Sequence, residues 1–323
     1  MNETANKTEQ QDPKWERQII EKLAMEALKE KRRSRYWGIF FKFTTLAYLV
    51  VLLLVFLSSA ETFSHSDTGN PHTALVTLDG VIASEDGVAA NVVVGSLQRA
   101  FEHTNTQAVI LHINSPGGSP VQSSYIQKAM KRLRVEHPDT PLYAVVSDIC
   151  ASGGYYVASA ADKIYVNESS IVGSIGVLMD SFGFEGMMDT LGIERRLLTA
   201  GEHKGILDPF SPLNEFDRTH AKQVLEGLHQ TFIKAVQEGR GDRLSDDPKL
   251  FSGLFWSGQR SIELGLADAI GSVGFVAREI IEVENIVDFT QRANPFERLA
   301  DRIGVAAAKG MMRLLEGNAV PRF

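Results

Sequence analysis

From residue 74 onward the chain alternates short β-type apolar runs with segments of helical periodicity, and this alternation limits the possible folds more than any other feature. Residues 74–82, 108–113 and 142–146 read as strands. Residues 91–101, 119–134 and 153–160 read as the helices that follow them. Further β-type runs fall at 163–166, 171–178 and 194–198, with a short helix at 183–191 and a long amphipathic helix at 214–238. Short elements at 250–255 and 257–264 complete the pattern. Strands alternating with helices predict an α/β domain with helices packed on the faces of a sheet. No repeat of solenoid length is visible.

Two glycine-rich loops follow consecutive expected strands. The first is Asn114-Ser-Pro-Gly-Gly-Ser119 and the second is Ala151-Ser-Gly-Gly154. Ligand sites in open α/β sheets form at the carboxyl ends of strands, so both loops can face one crevice. Ser152 stands at the strand-to-helix turn, beside the N–H groups and positive dipole end of the following helix. A developing oxyanion is stabilised there, with a first-loop glycine and Gly153 as the two donors. The plain alternative is that Ser152 only caps the helix and that both loops are ordinary turns.

A nucleophilic serine needs a base. His65 and His72 fall in a polar linker, and His112 falls within a strand. His103, His137, His220 and His229 fall on helices or helix ends, where solvation is the ordinary state. His203 lies in the glycine-bounded loop Gly201-Glu-His-Lys-Gly205, next to Lys204. A lysine serves as base only if burial or a neighbouring positive charge disfavours its ammonium form. Neither the Ser-x-x-Lys signature nor the Gly-x-Ser-x-Gly elbow is present, Cys150 occupying the first glycine's place. Residue chemistry leaves Ser152–Lys204 and Ser152–His203 both open.

The N-terminal part has a different character. Residues 1–35 form a polar tail with an amphipathic helix that starts at Asp12-Pro13. The helix runs into a basic cluster made by Lys29, Lys31, Arg32, Arg33 and Arg35. Residues 36–59 are then expected to be a single transmembrane anchor, with Lys42 snorkelling near its start. The basic flank keeps the N-terminus cytoplasmic and places the rest beyond the membrane, which in a bacterium is the periplasmic side of the inner membrane. A cleavable signal peptide is the competing reading, but the polar stretch before the apolar run is much longer than an n-region. Residues 60–72 read as a linker and 73–284 as the main domain. Residues 285–323 read as a tail with an amphipathic helix that packs on the core or lies on a membrane.

Composition removes several functions. A net charge of −7 argues against nucleic acid as a partner. The single cysteine, Cys150, excludes an intramolecular disulfide and a Cys-based zinc site. The absence of HExxH, Walker A and GxGxxG patterns gives no reason to expect a metal or nucleotide cofactor.

Four segments together resemble the SppA-type signal peptide peptidases, the membrane-bound S49 serine peptidases, in their short form. They are NSPGGS (114–119), ASGGYYVASAADKIYV (151–166), GSIGV (173–177) and GEHKGILDPFSP (201–212). The stretch WSGQRSIELGLAD (256–268) is a weaker echo, with Ser261 where alanine is usual and Ala267 where valine is usual. The resemblance covers about residues 74–282. It implies a ClpP/crotonase-like α/β fold, with Ser152 as nucleophile, Lys204 as general base and Ser174 hydrogen-bonded to that lysine. It also implies oxyanion donors at Gly118 and Gly153. The implied assembly is a ring-like homo-oligomer in which the serine and lysine of one site can come from adjacent protomers. The implied substrates are remnant signal peptides. Rival readings are an envelope quality-control peptidase with other membrane-protein clients, a non-catalytic scaffold, and a crotonase-type acyl-CoA enzyme.

Overall fold

The computed structural model describes residues 13–61, 69–85 and 87–291. The chain divides into two compact units, Met1–Asp67 and Thr68–Phe323. In the first, α1 (Pro13–Glu61) is one continuous helix of 49 residues. Pro13 opens it where a missing N–H costs no hydrogen bond. Its apolar side chains, among them Trp37, Phe40, Phe41, Leu46 and Leu49, are exposed. The helix covers the expected anchor at 36–59, yet among the described residues no helix is long and apolar enough to cross a membrane. The side chains of 53–61, needed to complete that span, lie outside the described residues. So do residues 1–12 and the tail from 292 onward, including most of the expected C-terminal helix.

The second unit is the expected α/β domain. Its strands are β1 (His72–Asp79), β2 (Thr106–Ser115), β3 (Leu142–Ala151), β4 (Lys163–Val166), β5 (Ile171–Gly173), β6 (Phe255–Ser257), β7 (Ala269–Ile270) and β8 (Ile286–Asp288). The helices are α2 (Ala90–Glu102), α3 (Pro120–Glu136), α4 (Gly153–Ala158), α5 (Glu185–Thr190), α6 (Glu215–Arg240), α7 (Gly258–Glu263) and α8 (Val273–Phe275). The main sheet order is β6-β5-β3-β2-β1-β8, with β4 pairing β3 and β7. All pairs are parallel except β5–β6. The first half of β3 pairs β4, at Tyr143 to Val145. Its last residues, Ile149 to Ala151, pair β5. The sheet therefore forks along β3, and the β5 branch, with Val172 buried in the main core, lies at the end that holds Ser152.

Side-chain alternation on β2 and β3 separates two apolar clusters, as a period of two requires. Val109, Leu111, Ile113, Ala144 and Val146 face the main core with α2, α3, α4 and α6. Ile110 and Val145 face a smaller cluster with Tyr165, Val276 and Ala277. Burying each such aliphatic side chain contributes about 1.5–3 kcal/mol. Continuous apolar runs in β2 and β3 follow from burial on both faces.

Three expectations need correction. Residues 194–198 form no strand, and Leu198 is 95% exposed. A β-type run without a pairing edge has nowhere to place its backbone hydrogen bonds. The strand expected over 171–178 stops at Gly173, because Gly173 (φ 108°) and Ser174 (φ 53°) turn the chain. The strand expected to end at 146 continues through polar Ser147 and Asp148 to Ala151, since β5 offers it an edge. Beyond residue 284, β8 adds a further strand alongside β1.

Candidate active site

The first glycine loop leaves β2 at Ser115. Gly117 (φ 103°) and Gly118 (φ 144°) hold conformations that a side chain strains. The Ile82 N–H donates to the Gly117 carbonyl (2.8 Å) and the Ser119 N–H donates to the Ile82 carbonyl (2.8 Å). A Cβ on Gly118 would fall against that Ile82 carbonyl. One on Gly117 would lie 2.6 Å from the Gly153 nitrogen, so the two glycine loops meet backbone to backbone. Ser119 caps α3, its Oγ accepting from the Gln122 N–H (3.4 Å), and Pro120 opens the helix.

Ser152 joins β3 to α4 with φ 50° and ψ −120°. Its N–H donates to the Gly173 carbonyl (2.8 Å) and its carbonyl accepts from the Tyr156 N–H (2.9 Å). The side chain makes no capping bond. The cap alternative therefore fails: no capping bond forms, and these backbone angles lie outside the β region that a capping serine keeps. A Cβ on Gly153 would lie 3.2 Å from the Gly118 nitrogen, which makes the two backbone N–H groups neighbours. Among the described residues, no backbone acceptor takes either N–H. Two adjacent free donors beside a free hydroxyl can hold an oxyanion formed on attack at a carbonyl.

Ser152, Gly118, Gly153 and Ser174 line one cavity of about 950 Å³. Its walls include Val121, Tyr125, Tyr156, Val177, Leu178, Leu228 and Phe232, with Lys128 further along α3. Ser174 has φ 53°, and its N–H donates to the Leu254 carbonyl (2.8 Å). Cys150 is fully buried, and burial pushes its thiol far above the ordinary range, which leaves it no role as a nucleophile. His229, assigned by its helical position to solvent, instead lines this cavity. Its Nε2 lies 3.1 Å from the Ile175 carbonyl, which can only accept, so Nε2 carries the proton. Neither Lys128 nor His229 was legible as a site residue, since helical spacing gives a face but not what that face meets.

Lys204 is placed differently. It is exposed and does not line the Ser152 cavity. Its N–H donates to the Gly201 carbonyl (3.1 Å) within a tight turn. His203, the other candidate base, stacks on Phe216 with ring centroids 4.1 Å apart and lies 3.9 Å from the Glu202 carboxylate. The loop is tied by Asp208, whose carboxylate accepts from Ser211 Oγ (2.7 Å) and Arg195 Nε (3.3 Å). The Ser211 hydroxyl, opposed by slight burial and joined by Arg195, holds the Asp208 carboxyl below the usual range. Within one chain, the fold thus gathers Ser152, Ser174, Gly118 and Gly153, while Lys204 stands on a separate exposed loop.

Comparisons with known proteins place the central part of the chain in a known family. Residues 135–287 match peptidase family S49. A Na(+)/H(+) antiporter NhaA of Brucella abortus is 46% identical over 179 residues, 55% of this chain but 24% of that protein. A putative signal peptide peptidase SppA of Enterococcus faecium is 29% identical over 175 residues, covering 54% of this chain and 50% of the relative. A putative protease of Methanocaldococcus jannaschii is 30% identical over 182 residues, covering 56% and 58%. The chain thus spans between about a quarter and somewhat over half of the length of these relatives. Ser152 and Gly153 lie inside the matched stretch and Gly118 lies before it. Residues 135–287 thus carry a peptidase S49 domain, and the relatives named SppA and protease support a serine peptidase of the SppA type.

Proposed function

We propose that this protein is a membrane-anchored serine endopeptidase in which Ser152 is the nucleophile and Lys204 of a neighbouring copy is the general base. The observation that carries the reading is the Ser152 hydroxyl, released from helix capping by its backbone and set beside the paired Gly118 and Gly153 N–H groups. The neutral Lys204 amine takes the Ser152 proton as Oγ attacks the peptide carbonyl carbon. The two N–H groups hold the oxyanion, and the protonated lysine returns its proton to the leaving amine. Water, deprotonated by the same lysine, then hydrolyses the acyl-enzyme and restores Ser152. Ser174 orients the lysine by hydrogen bonding.

Lys204 belongs to a segment with many exposed apolar side chains, among them Phe182, Met187, Leu191, Ile193 and Leu198. Apolar surface on this scale is ordinarily covered by a partner, and a second copy that covered it could carry Lys204 to the neighbour's serine. Apolar cavity walls suit remnant signal peptides, and a relative bears the name signal peptide peptidase. The apolar run at 36–59 behind a basic cluster supports an anchor in a bacterial inner membrane with the peptidase domain on the far side.

The test uses the full chain in detergent with an apolar fluorogenic peptide. Ser152→Ala and Lys204→Ala are each expected to lower kcat by about 10³-fold or more with unchanged melting behaviour. Full activity in either variant rules the pair out.

A further inference from the structure

We propose that Lys128 recognises a carboxylate of the substrate about three residues from the scissile bond, so that the site selects apolar peptides bearing one negative charge. The inference rests on the peptidase reading and names the substrate class of that same site. Among the residues lining the Ser152 cavity, Lys128 is the one with a full formal charge. The other cations of its helix are engaged: Lys131 with Glu238 (2.8 Å), Arg132 with Glu136 (3.0 Å) and Arg134 with Asp162 (2.7 Å). Among the described residues Lys128 has neither an ion pair nor a hydrogen bond, in a chain whose net charge is −7. An unpaired ammonium at an apolar cleft is a ready partner for an anionic group on the ligand.

Its position follows from helix geometry. Val121, Ser124, Tyr125 and Lys128 line the cavity at spacings of three and four, so the cleft runs along one face of α3. Gly118 supplies an oxyanion donor just before that helix. Lys128 lies eight residues beyond Pro120, or about 12 Å at 1.5 Å per residue. The side chain leans back toward the helix N-terminus. An extended peptide advances roughly 3.3 Å per residue, which sets the carboxylate about three residues from the bond under attack. An Asp or Glu side chain and the α-carboxylate of a short fragment carry the same chemistry.

The experiment compares kcat/KM of the full chain on one apolar peptide in four forms: C-terminal acid, C-terminal amide, and amides with Glu or Gln three residues from the cleaved bond. Wild type is expected to favour a carboxylate form by about three- to tenfold at low salt, less at high salt. Acid over amide identifies a terminal carboxylate, and Glu over Gln identifies a side chain. Lys128→Met brings the ratio to about one, and Lys128→Glu turns the preference toward a lysine-bearing peptide. Equal rates on all forms in wild type, or a preference unchanged in Lys128→Met, overturn the proposal. If wild type cleaves none of them, the peptidase reading fails, and the same peptides are read by fluorescence anisotropy against Ser152→Ala. Tighter binding of a carboxylate form to Ser152→Ala, lost in Ser152→Ala/Lys128→Met, supports Lys128, and equal binding overturns it.

Discussion

Ser152 holds φ 50° and ψ −120°, a region that a residue with a Cβ occupies at a cost of about 1–3 kcal/mol. The strain is sustained by the Gly173 carbonyl above its N–H and by the Gly117–Gly153 backbone contact beside it. Ser152→Ala and Ser152→Gly both remove the hydroxyl, but only glycine relieves the backbone. The glycine variant is therefore expected to be the more stable of the two by about 1 kcal/mol, even after glycine's greater unfolded-state freedom is counted. Chemical denaturation of the two variants measures this, and an alanine variant of equal or greater stability would show that the turn is unstrained. A serine followed by two glycines at a strand end reveals the turn. Its dihedral angles are set by β5 and the first glycine loop, both distant in sequence, so no local pattern could distinguish nucleophile from cap.

At the scale of elements, the C-terminal end of α6 is fastened to the sheet by one buried cation. Arg240 is 1% exposed and bonds Asp268 through Nη1 (2.7 Å) and Nη2 (3.0 Å), while its Nε donates to the Gly265 carbonyl (2.9 Å). Asp268 also accepts from the Ile164 N–H at the head of β4 (2.7 Å). Burial alone would raise the Asp268 pKa, but the Arg240 bond and charge and the Ile164 N–H outweigh it and hold the carboxyl below 3.8. Arg240→Met strands a partly buried carboxylate and is expected to destabilise by about 3–5 kcal/mol. A carboxyl with a depressed native pKa gives stability that is fully present above the unfolded value and is lost as pH falls through the native one. The stability gap between wild type and Asp268→Asn should stay constant above about pH 5 and close on acidification below about pH 4. Denaturant midpoints measured across that range check it, and a gap unchanged down to pH 2 would contradict it. The strands β1 to β4 and the helices α2, α3 and α6 were legible because each carries its own periodicity. The short strands β6, β7 and β8 were not, since two or three residues hold no period and pair only because an edge is waiting.

At the scale of the whole molecule, the exposed Lys204 loop and the Ser152 cavity pose a question that one copy of the chain does not answer by itself. If the pair forms between copies, an equal mixture of Ser152→Ala and Lys204→Ala chains regains activity, to about a quarter of wild type when copies mix at random in a closed ring. If the pair forms within a chain, the mixture stays inactive. The sequence alone determined the α/β alternation, the two glycine loops at strand ends and the apolar run behind a basic cluster, because each is a property of neighbouring residues. Only the tertiary structure decided that the Ser152 side chain makes no capping bond, that Gly118 and Gly153 lie side by side on the wall of one cavity, and that Lys128 and His229 line it while Lys204 does not. Those facts depend on which segments the forked sheet brings side by side, and contacts between residues far apart in the chain leave no mark in its local pattern.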